Sequence, residues 1–265
     1  RAPKRTLILG PTYSEYSREL SFSGSTQDYY HLQEAEDFEL DVEDLCRTLL
    51  NGYDFLILCN PNNPTSSAIL KDEMRALLSF CANRDIFVMI DETYVEFAPS
   101  VQEVTAVPYT KEFSNLMVLR GVSKFYAAPG MRFGYGITGN KEFLSQMKEK
   151  QIPWSLNSLG AYAGEQMFKD TSYIRQTRAL ILTERDRIFL ELKKMSSFKV
   201  YFPYGNFILV KILKPEVTSF DVFEACIKEG LMIRDCSSFQ CLDGEFVRFC
   251  IMKPEDNDRL LKVLK

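Results

Sequence analysis

Residues 55–65 have the sequence Phe-Leu-Ile-Leu-Cys-Asn-Pro-Asn-Asn-Pro-Thr. The apolar run Phe55–Cys59 predicts a short strand that is buried on both faces, as the strands of parallel sheets are. Asn60 and Pro61 end that strand, because proline fixes its own φ and asparagine tolerates turn geometry. The stretch therefore predicts a buried strand whose carboxyl end opens into a polar turn over residues 60–65.

Outward from this strand, short apolar runs alternate with amphipathic stretches. The other predicted strands of this part are Thr6–Leu9, Ile86–Ile90 and Leu116–Leu119. Between them, Asp41 can cap a helix over Val42–Leu50, and Lys71–Asn83 repeats its apolar residues with helical spacing. This alternation predicts an α/β fold with a mostly parallel central sheet and helices on both faces.

The pattern changes after Trp154. Ser158–Lys169 predicts a helix, and Tyr173–Met195 predicts an unusually long one. The tail then predicts the strands Val200–Phe202, Phe207–Ile212, Met232–Arg234 and Phe246–Ile251 and the helices Phe220–Glu229 and Glu255–Leu264. We therefore expect a large domain over residues 1–168 and a smaller C-terminal α+β domain over residues 169–265, joined by the long helix.

Composition and charge exclude several classes of function. The 265 residues carry 32 Lys and Arg against 36 Asp and Glu, a formal charge of −4, which argues against a nucleic-acid-binding protein. No apolar run is long enough to span a bilayer and no signal peptide is recognised, so we expect no membrane association. The seven cysteines form no Cys-x-x-Cys pair, which favours reduced thiols and a cytoplasmic location. His31 is the single histidine, so neither a multi-histidine metal site nor a His-based triad is expected.

Polar clusters follow the predicted strands. They are Asn60–Thr65, Asp91–Tyr94, Ser123–Lys124 and Gly130–Gly136. Open α/β sheets build their ligand sites at the carboxyl ends of strands. Singly, each cluster is typical of a turn, a helix cap or a solvated loop, whereas the four in this order are much more specific.

In this order the clusters resemble those of the fold-type I pyridoxal-phosphate enzymes, within the class I and II aminotransferase superfamily. The resemblance extends from Pro11-Thr12-Tyr13 to Val247-Arg248-Phe249 and is closest to the branch of histidinol-phosphate aminotransferases and threonine-phosphate decarboxylases. It implies pyridoxal 5′-phosphate as the cofactor and a homodimer with the site at the subunit interface. It also implies a phosphorylated amine or amino acid as substrate and, for transamination, a 2-oxo acid.

The resemblance assigns the chemistry to four residues. Lys124 would form the Schiff base with the cofactor and shuttle the proton at the substrate α-carbon. Asp91 would pair with the pyridine nitrogen and keep it protonated. Tyr94 and Asn63 would hydrogen-bond the phenolic oxygen of the ring and favour its ionised form.

The resemblance assigns binding roles to five more residues. Ser123 and Arg132 would hold the cofactor phosphate, and Tyr13 would stack on the ring. Arg248 would bind a substrate α-carboxylate, and Arg234 a substrate phosphate. The structural alternatives are packing for Tyr13, an ion pair for Arg248, and a salt bridge to Asp235 or solvation for Arg234.

The sequence departs from the family pattern at three places. Ser66 occupies a turn position that usually has glycine, and Gly121 a position that often has a phosphate-binding Ser or Thr. The family also has an N-terminal segment, ahead of the residue that matches Arg1, with a phosphate-binding loop and a tyrosine for the partner's cofactor. We therefore expect a fragment, or a chain whose N-terminal part is not described, with an incomplete phosphate site.

Three functions remain open at this point. The first is a transaminase similar to histidinol-phosphate aminotransferase, since transaminases dominate the superfamily. The second is a decarboxylase of threonine phosphate on the path to cobalamin, a branch that the run Arg234–Phe239 resembles more. The third is a non-catalytic relic of the fold, against which the retained Lys124, Asp91 and Arg132 argue.

Overall fold

The structure, a computed structural model, describes residues 3–265. Its larger sheet has six strands in the order β2-β1-β3-β4-β5-β6, of which the first five are parallel and β6 is antiparallel to β5. These strands are β1 (Arg5–Gly10), β2 (Thr26–His31), β3 (Phe55–Cys59), β4 (Phe87–Asp91), β5 (Leu116–Gly121) and β6 (Gly134–Ile137).

Helices cover both faces of this sheet. They are α1 (Glu15–Ser23), α2 (Val42–Leu49), α3 (Lys71–Ala82), α4 (Val101–Val104), α5 (Lys141–Lys150), α6 (Ser158–Lys169) and α7 (Thr171–Lys193). On one face Leu7 shares a buried cluster with Leu45 of α2 and Leu77 of α3. On the other face Ile8 packs with Leu20 of α1. The prediction of a mostly parallel sheet between helices is confirmed.

The remaining elements build a second, antiparallel sheet of four strands in the order β7-β8-β10-β9. They are β7 (Phe198–Val200), β8 (Phe207–Ile212), α8 (Ser219–Lys228), β9 (Arg234–Asp235), β10 (Phe246–Cys250) and α9 (Pro254–Leu264). The predicted long helix is α7, with 23 residues, which contacts α9, β7 and the short turn Val95–Phe97 of the larger sheet. Between residues 3 and 265, the structure contains no helix that is both long and apolar enough to cross a membrane.

The two sheets share their apolar interior. Leu7 and Phe38 lie in one buried cluster with Leu209 and Phe246, and a second cluster joins Phe125 to the smaller sheet. The division at residue 168 therefore stays a prediction about chain organisation, because burial is continuous across it.

Five elements have no counterpart in the sequence prediction: α1, β2, α4, β6 and α5. Strand β2 has no fully buried residue, and helix α5 has none either, so neither carries the apolar periodicity that reveals a buried element. Strand β7 begins two residues earlier than the predicted Val200–Phe202, because its limits follow its pairing with β8, in which Val200 lies opposite Val210.

Candidate active site

A cavity of about 630 Å³ lies at the carboxyl ends of β1, β3, β4 and β5 and is closed by residues of the second sheet. All the site residues selected from the sequence line it: Tyr13, Asn63, Asp91, Tyr94, Ser123, Lys124, Arg132, Arg234 and Arg248. These residues come from distant parts of the chain, and parallel strands with a common carboxyl edge bring them together. The volume suits a small-molecule site.

Asp91 ends strand β4 and is held by donors on both of its oxygens. Its Oδ1 accepts from the Thr93 backbone N–H at 2.9 Å and from the Thr93 hydroxyl. Its Oδ2 accepts from the Tyr16 hydroxyl at 2.7 Å. The carboxylate is therefore fixed while it lines the cavity. Neither Thr93 nor Tyr16 was selected from the sequence, although Thr93 lies within the motif and Tyr16 follows Tyr13 by one helical turn.

Lys124 follows strand β5 and has an exposed side chain in the cavity. Its Nζ lies 5.9 Å from the centre of the Tyr94 ring. The next residue, Phe125, is buried, and its carbonyl accepts a hydrogen bond from the Tyr173 hydroxyl at 2.8 Å. A buried, hydrogen-bonded neighbour thus anchors the backbone that carries the amine.

Tyr94 forms the inner wall of the cavity. Its ring packs edge-on against Phe207, with 4.9 Å between the ring centres, and only 9% of the residue is exposed. Burial raises the pKa of the Tyr94 hydroxyl well above its ordinary value, and the nearby Arg248 opposes this shift. Tyr94 is therefore a hydrogen-bond donor at any physiological pH.

Arg248 and Arg234 lie directly opposite each other on the paired strands β10 and β9. Arg248 donates from Nη1 to Asn63 Oδ1, and its guanidinium carbon lies 5.0 Å from the Phe207 ring centre. Its Nε is buried and has no hydrogen-bond partner among the described residues. Arg234 donates to Ser238 Oγ at 2.7 Å. Like charges on opposed strand positions repel each other, so this pair would be stabilised by an anion in the cavity.

Neither arginine has a carboxylate partner within residues 3–265. Asp235, the sequence neighbour of Arg234, instead accepts from the Ser237 backbone N–H at 2.8 Å and from the Ser237 hydroxyl at 3.0 Å. Adjacent strand residues point to opposite faces of a sheet, which explains why Asp235 does not neutralise Arg234. Neither ion-pair alternative is found within residues 3–265, and the binding roles of both arginines stay predictions.

The Pro11-Thr12-Tyr13 turn is fixed by Asn62 of the Asn-Pro repeat. Asn62 accepts from the Thr12 hydroxyl at 3.0 Å and donates to the Pro11 carbonyl at 2.8 Å. Tyr13 is 47% exposed, and its ring meets Tyr16 edge-on at 5.7 Å. The Tyr13 ring thus stands at the cavity on a rigid support.

Gly121 and Ser66, two of the three departures from the family pattern, have local physical reasons. A Cβ atom at Gly121 would lie 3.3 Å from the Phe133 carbonyl oxygen, so glycine permits close approach of β5 and β6 there. Ser66 is buried with a φ of +60°, a left-handed conformation that usually favours glycine. Its hydroxyl accepts from the Gly205 backbone N–H at 2.8 Å. The serine therefore links the Asn-Pro turn to the loop before β8.

Ser123 and Arg132 lie on the remaining side of the cavity. Arg132 is exposed, has a φ of +49°, and donates from Nη1 to the Pro129 carbonyl at 3.2 Å. Its other guanidinium donors are free to bind an anion. The cavity thus offers an exposed amine, a fixed carboxylate, an aromatic ring and a serine–arginine pair. These four groups fit, in that order, the aldehyde, the ring nitrogen, the π-face and the phosphate of pyridoxal 5′-phosphate.

Residues 2–264 match the family "Aminotransferase class I and II". Threonine-phosphate decarboxylase from Salmonella typhimurium is 30% identical over 263 residues, which cover 99% of this chain and 71% of that protein. Histidinol-phosphate aminotransferase from Methanococcus aeolicus is 30% identical over 259 residues, 98% of this chain and 68% of that protein. The crystal structure of histidinol-phosphate aminotransferase from Clostridium acetobutylicum is 33% identical with a TM-score of 0.92, covering 99% of this chain and 77% of that one. The chain therefore belongs to the class I and II aminotransferase family, whose members use pyridoxal 5′-phosphate.

Proposed function

We propose that this protein is an aminotransferase that acts on a phosphorylated amine or amino acid, as its relatives named histidinol-phosphate aminotransferase do. One observation carries the proposal. Lys124 and Asp91 line the same cavity as two opposed arginines that lack a carboxylate partner within the described residues. An amine and a carboxylate suit the cofactor, and two guanidinium groups suit an anionic substrate.

In this proposal four residues would act on the cofactor ring: Lys124, Asp91, Asn63 and Tyr94. When bound, pyridoxal 5′-phosphate supplies an electron sink for the substrate α-carbon. The Lys124 amine would attach the cofactor and, when free, would remove and return the proton at that carbon. The Asp91 carboxylate would hold the ring nitrogen, and the Asn63 amide and Tyr94 hydroxyl would donate to the phenolic oxygen.

Three further residues hold the cofactor in place. Arg132 and Ser123 donate to the phosphate, for which the planar guanidinium offers two parallel N–H groups. Tyr13 covers one face of the ring, where an aromatic side chain contributes contact area. Together they would resist loss of the cofactor while Lys124 is detached from it.

The two arginines orient the substrate. Arg248 binds an α-carboxylate, since Asn63 and the Phe207 ring already restrict its guanidinium. Arg234 binds the phosphate with help from the Ser238 hydroxyl, which it already contacts. A substrate that carries an anion at each end would be held at two points, which fixes the orientation of its α-carbon.

Decarboxylation of threonine phosphate is the second candidate. It is favoured by the Salmonella relative of that name and by the Arg248–Arg234 pair, because threonine phosphate carries both a carboxylate and a phosphate. In transamination the two arginines would bind different molecules: Arg234 the phosphorylated amine, and Arg248 the partner substrate that carries a carboxylate. The two reactions differ in the bond that breaks at the α-carbon, C–H or C–CO₂.

Two assays separate these reactions. The protein is loaded with pyridoxal 5′-phosphate and given histidinol phosphate with 2-oxoglutarate, and glutamate is measured. It is then given threonine phosphate, and carbon dioxide is measured. Glutamate formation supports the transaminase, whereas carbon dioxide without glutamate supports the decarboxylase. A non-catalytic relic would show no visible absorbance from bound cofactor and no borohydride-trapped adduct on Lys124.

We also propose a homodimer in the cytoplasm. Residues 144–162 contribute seven exposed apolar side chains, which a partner subunit could cover: Leu144, Met147, Ile152, Trp154, Leu156, Leu159 and Tyr162. All seven cysteines are free of disulfides, which fits a reducing compartment. Light scattering tests the dimer, and Trp154→Ser should weaken it, since this side chain is 95% exposed in the single chain.

A further inference from the structure

Tyr16 lines the active-site cavity from the first turn of helix α1. Its hydroxyl donates to Asp91 Oδ2, while Oδ1 accepts the two hydrogen bonds from Thr93. An ionised carboxylate offers about four acceptor positions. The bonds from Tyr16 and Thr93 therefore leave about one position for a donor in the cavity, which limits the orientation in which Asp91 can accept it.

The surroundings of Tyr16 keep its hydroxyl in the donor form. Burial, followed by the neighbouring Cys59 and Asp91, raises the pKa of Tyr16 well above its ordinary value. Cys59 lies beside Asp91 in the pairing of β3 with β4, and its thiol donates to the Pro61 carbonyl at 3.3 Å. Burial also raises the pKa of Cys59, so the thiol stays neutral and does not compete with Asp91 for charge-assisted bonds.

Tyr16 also contacts the residue proposed to cover the cofactor ring. Its ring meets Tyr13 edge-on, with 5.7 Å between the ring centres and an angle of 85°. Tyr16 thus contacts both the Tyr13 ring and the Asp91 carboxylate. A phenylalanine would preserve the contact with Tyr13 and remove only the bond to Asp91.

We propose that Tyr16 is a positioning residue that acts through Asp91. Its hydroxyl holds Oδ2 so that the charged carboxylate presents its remaining acceptor position to the ring nitrogen of the cofactor. This inference rests on the proposed function, because it assumes that Asp91 pairs with that nitrogen. Without the Tyr16 hydroxyl, Asp91 would be held by Thr93 on one oxygen only and would bind the cofactor less well.

The first test compares the affinity of the wild-type chain and of Tyr16→Phe for pyridoxal 5′-phosphate, from titrations followed by visible absorbance. Tyr16→Phe should raise Kd about tenfold, which equals about 1.4 kcal/mol. The matched control is Tyr30→Phe, which removes a phenol–carboxylate bond of 2.9 Å to Asp44 at a distance from the cavity. Tyr30→Phe should leave Kd unchanged. An unchanged Kd in Tyr16→Phe overturns the inference.

A double-mutant cycle with Asp91→Asn tests whether the Tyr16 hydroxyl acts through the Asp91 carboxylate. If Tyr16 acts through the Asp91 carboxylate, adding Tyr16→Phe to Asp91→Asn should change Kd less than about twofold. The same tenfold factor in both backgrounds would mean that the Tyr16 hydroxyl acts independently of the Asp91 carboxylate, which refutes the proposal. Far-ultraviolet circular dichroism confirms that each variant is folded.

The wild-type titration distinguishes the two levels of the argument. If the wild type takes up no cofactor and borohydride traps none on Lys124, the proposed function fails and the role of Tyr16 fails with it. If the wild type binds the cofactor and Tyr16→Phe binds it equally well, the proposed function stands and only the role of Tyr16 is rejected.

Discussion

Arg120 donates from both Nε and Nη2 to one oxygen of Glu92, at 3.0 and 2.7 Å. Glu92 directly follows Asp91 and is fully buried, and Arg120 lies near the end of β5, shortly before Lys124. The pair therefore ties together the carboxyl ends of β4 and β5, from which the carboxylate and the amine of the site project. Glu92 also accepts from the Thr105 hydroxyl at 2.8 Å.

Glu92→Gln should lower the free energy of unfolding by about 3 kcal/mol, because the partly buried Arg120 guanidinium would keep only its longer contact with a carboxylate, that of Glu96 at 3.9 Å. Denaturant unfolding at neutral pH measures this loss. Glu103→Gln is the control, since it breaks a half-exposed pair with Lys71 at 2.9 Å, and pairs of that kind contribute less than about 1 kcal/mol. Equal, small losses in both variants would contradict a structural role for the Arg120–Glu92 pair.

Ser66→Ala should be less stable than Ser66→Gly by about 1 kcal/mol. Both variants lose the hydrogen bond from Gly205, but glycine adopts the φ of +60° without a Cβ penalty. Thermal or denaturant unfolding of the two variants and the wild type gives the comparison. Equal stability of the two variants would show that the left-handed backbone at residue 66 does not disfavour a side chain.

Lys124→Ala should lower kcat by about 100-fold or more, the range typical of a lost general acid–base group. The amine would no longer move the proton at the substrate α-carbon or attach the cofactor. Steady-state assays with each of the two candidate substrates provide the measurement. Lys262→Ala, on the exposed side of helix α9, should keep wild-type kcat; retained activity in Lys124→Ala would refute the proposed chemistry.

Arg234→Ala should raise KM for the phosphorylated substrate at least about tenfold, since a charge-assisted contact to phosphate is lost. The variant should change KM much less for the same substrate without its phosphate. Arg259→Ala, a surface arginine that pairs with Asp256 at 3.0 Å, is the control. A KM increase that is the same with and without phosphate would exclude Arg234 as the phosphate site.

The pair of Glu184 and Arg187 predicts a dependence of stability on pH. Arg187 donates to Glu184 at 2.7 Å and lowers the pKa of this carboxyl from its ordinary value of 4.5. A lowered pKa in the folded state contributes stability above pH 4.5 that is lost as the pH falls through the folded value. Glu184→Gln should therefore cost about 2 kcal/mol near neutral pH and progressively less below 4.5. A constant difference over that range would contradict the linkage.

Much of the fold followed from local patterns. The buried strand Phe55–Cys59 and the helix Ser158–Lys169 have the limits that their apolar residues predict, and Asp41 caps its helix by accepting from the Asp44 backbone N–H at 3.0 Å. The strand is buried and therefore has a continuous apolar run, whereas the helix buries only Gly160 and Gly164. Strand β2 has no fully buried residue and helix α5 is almost entirely exposed, so neither shows an apolar pattern that marks it in the sequence.

The sequence by itself determined which residue types form the candidate site and that each follows a predicted strand. Because parallel strands have their carboxyl ends at one edge of the sheet, this placement already predicts that the residues lie together. Only the tertiary structure decided how these groups are held: Tyr16 on Asp91, Arg120 on Glu92, and Arg248 opposite Arg234. Each of these contacts joins residues that are distant in the chain or depends on strand register. A hydrogen bond or an opposed pair of charges is decided by distances of a few ångströms, which no local pattern of the sequence contains.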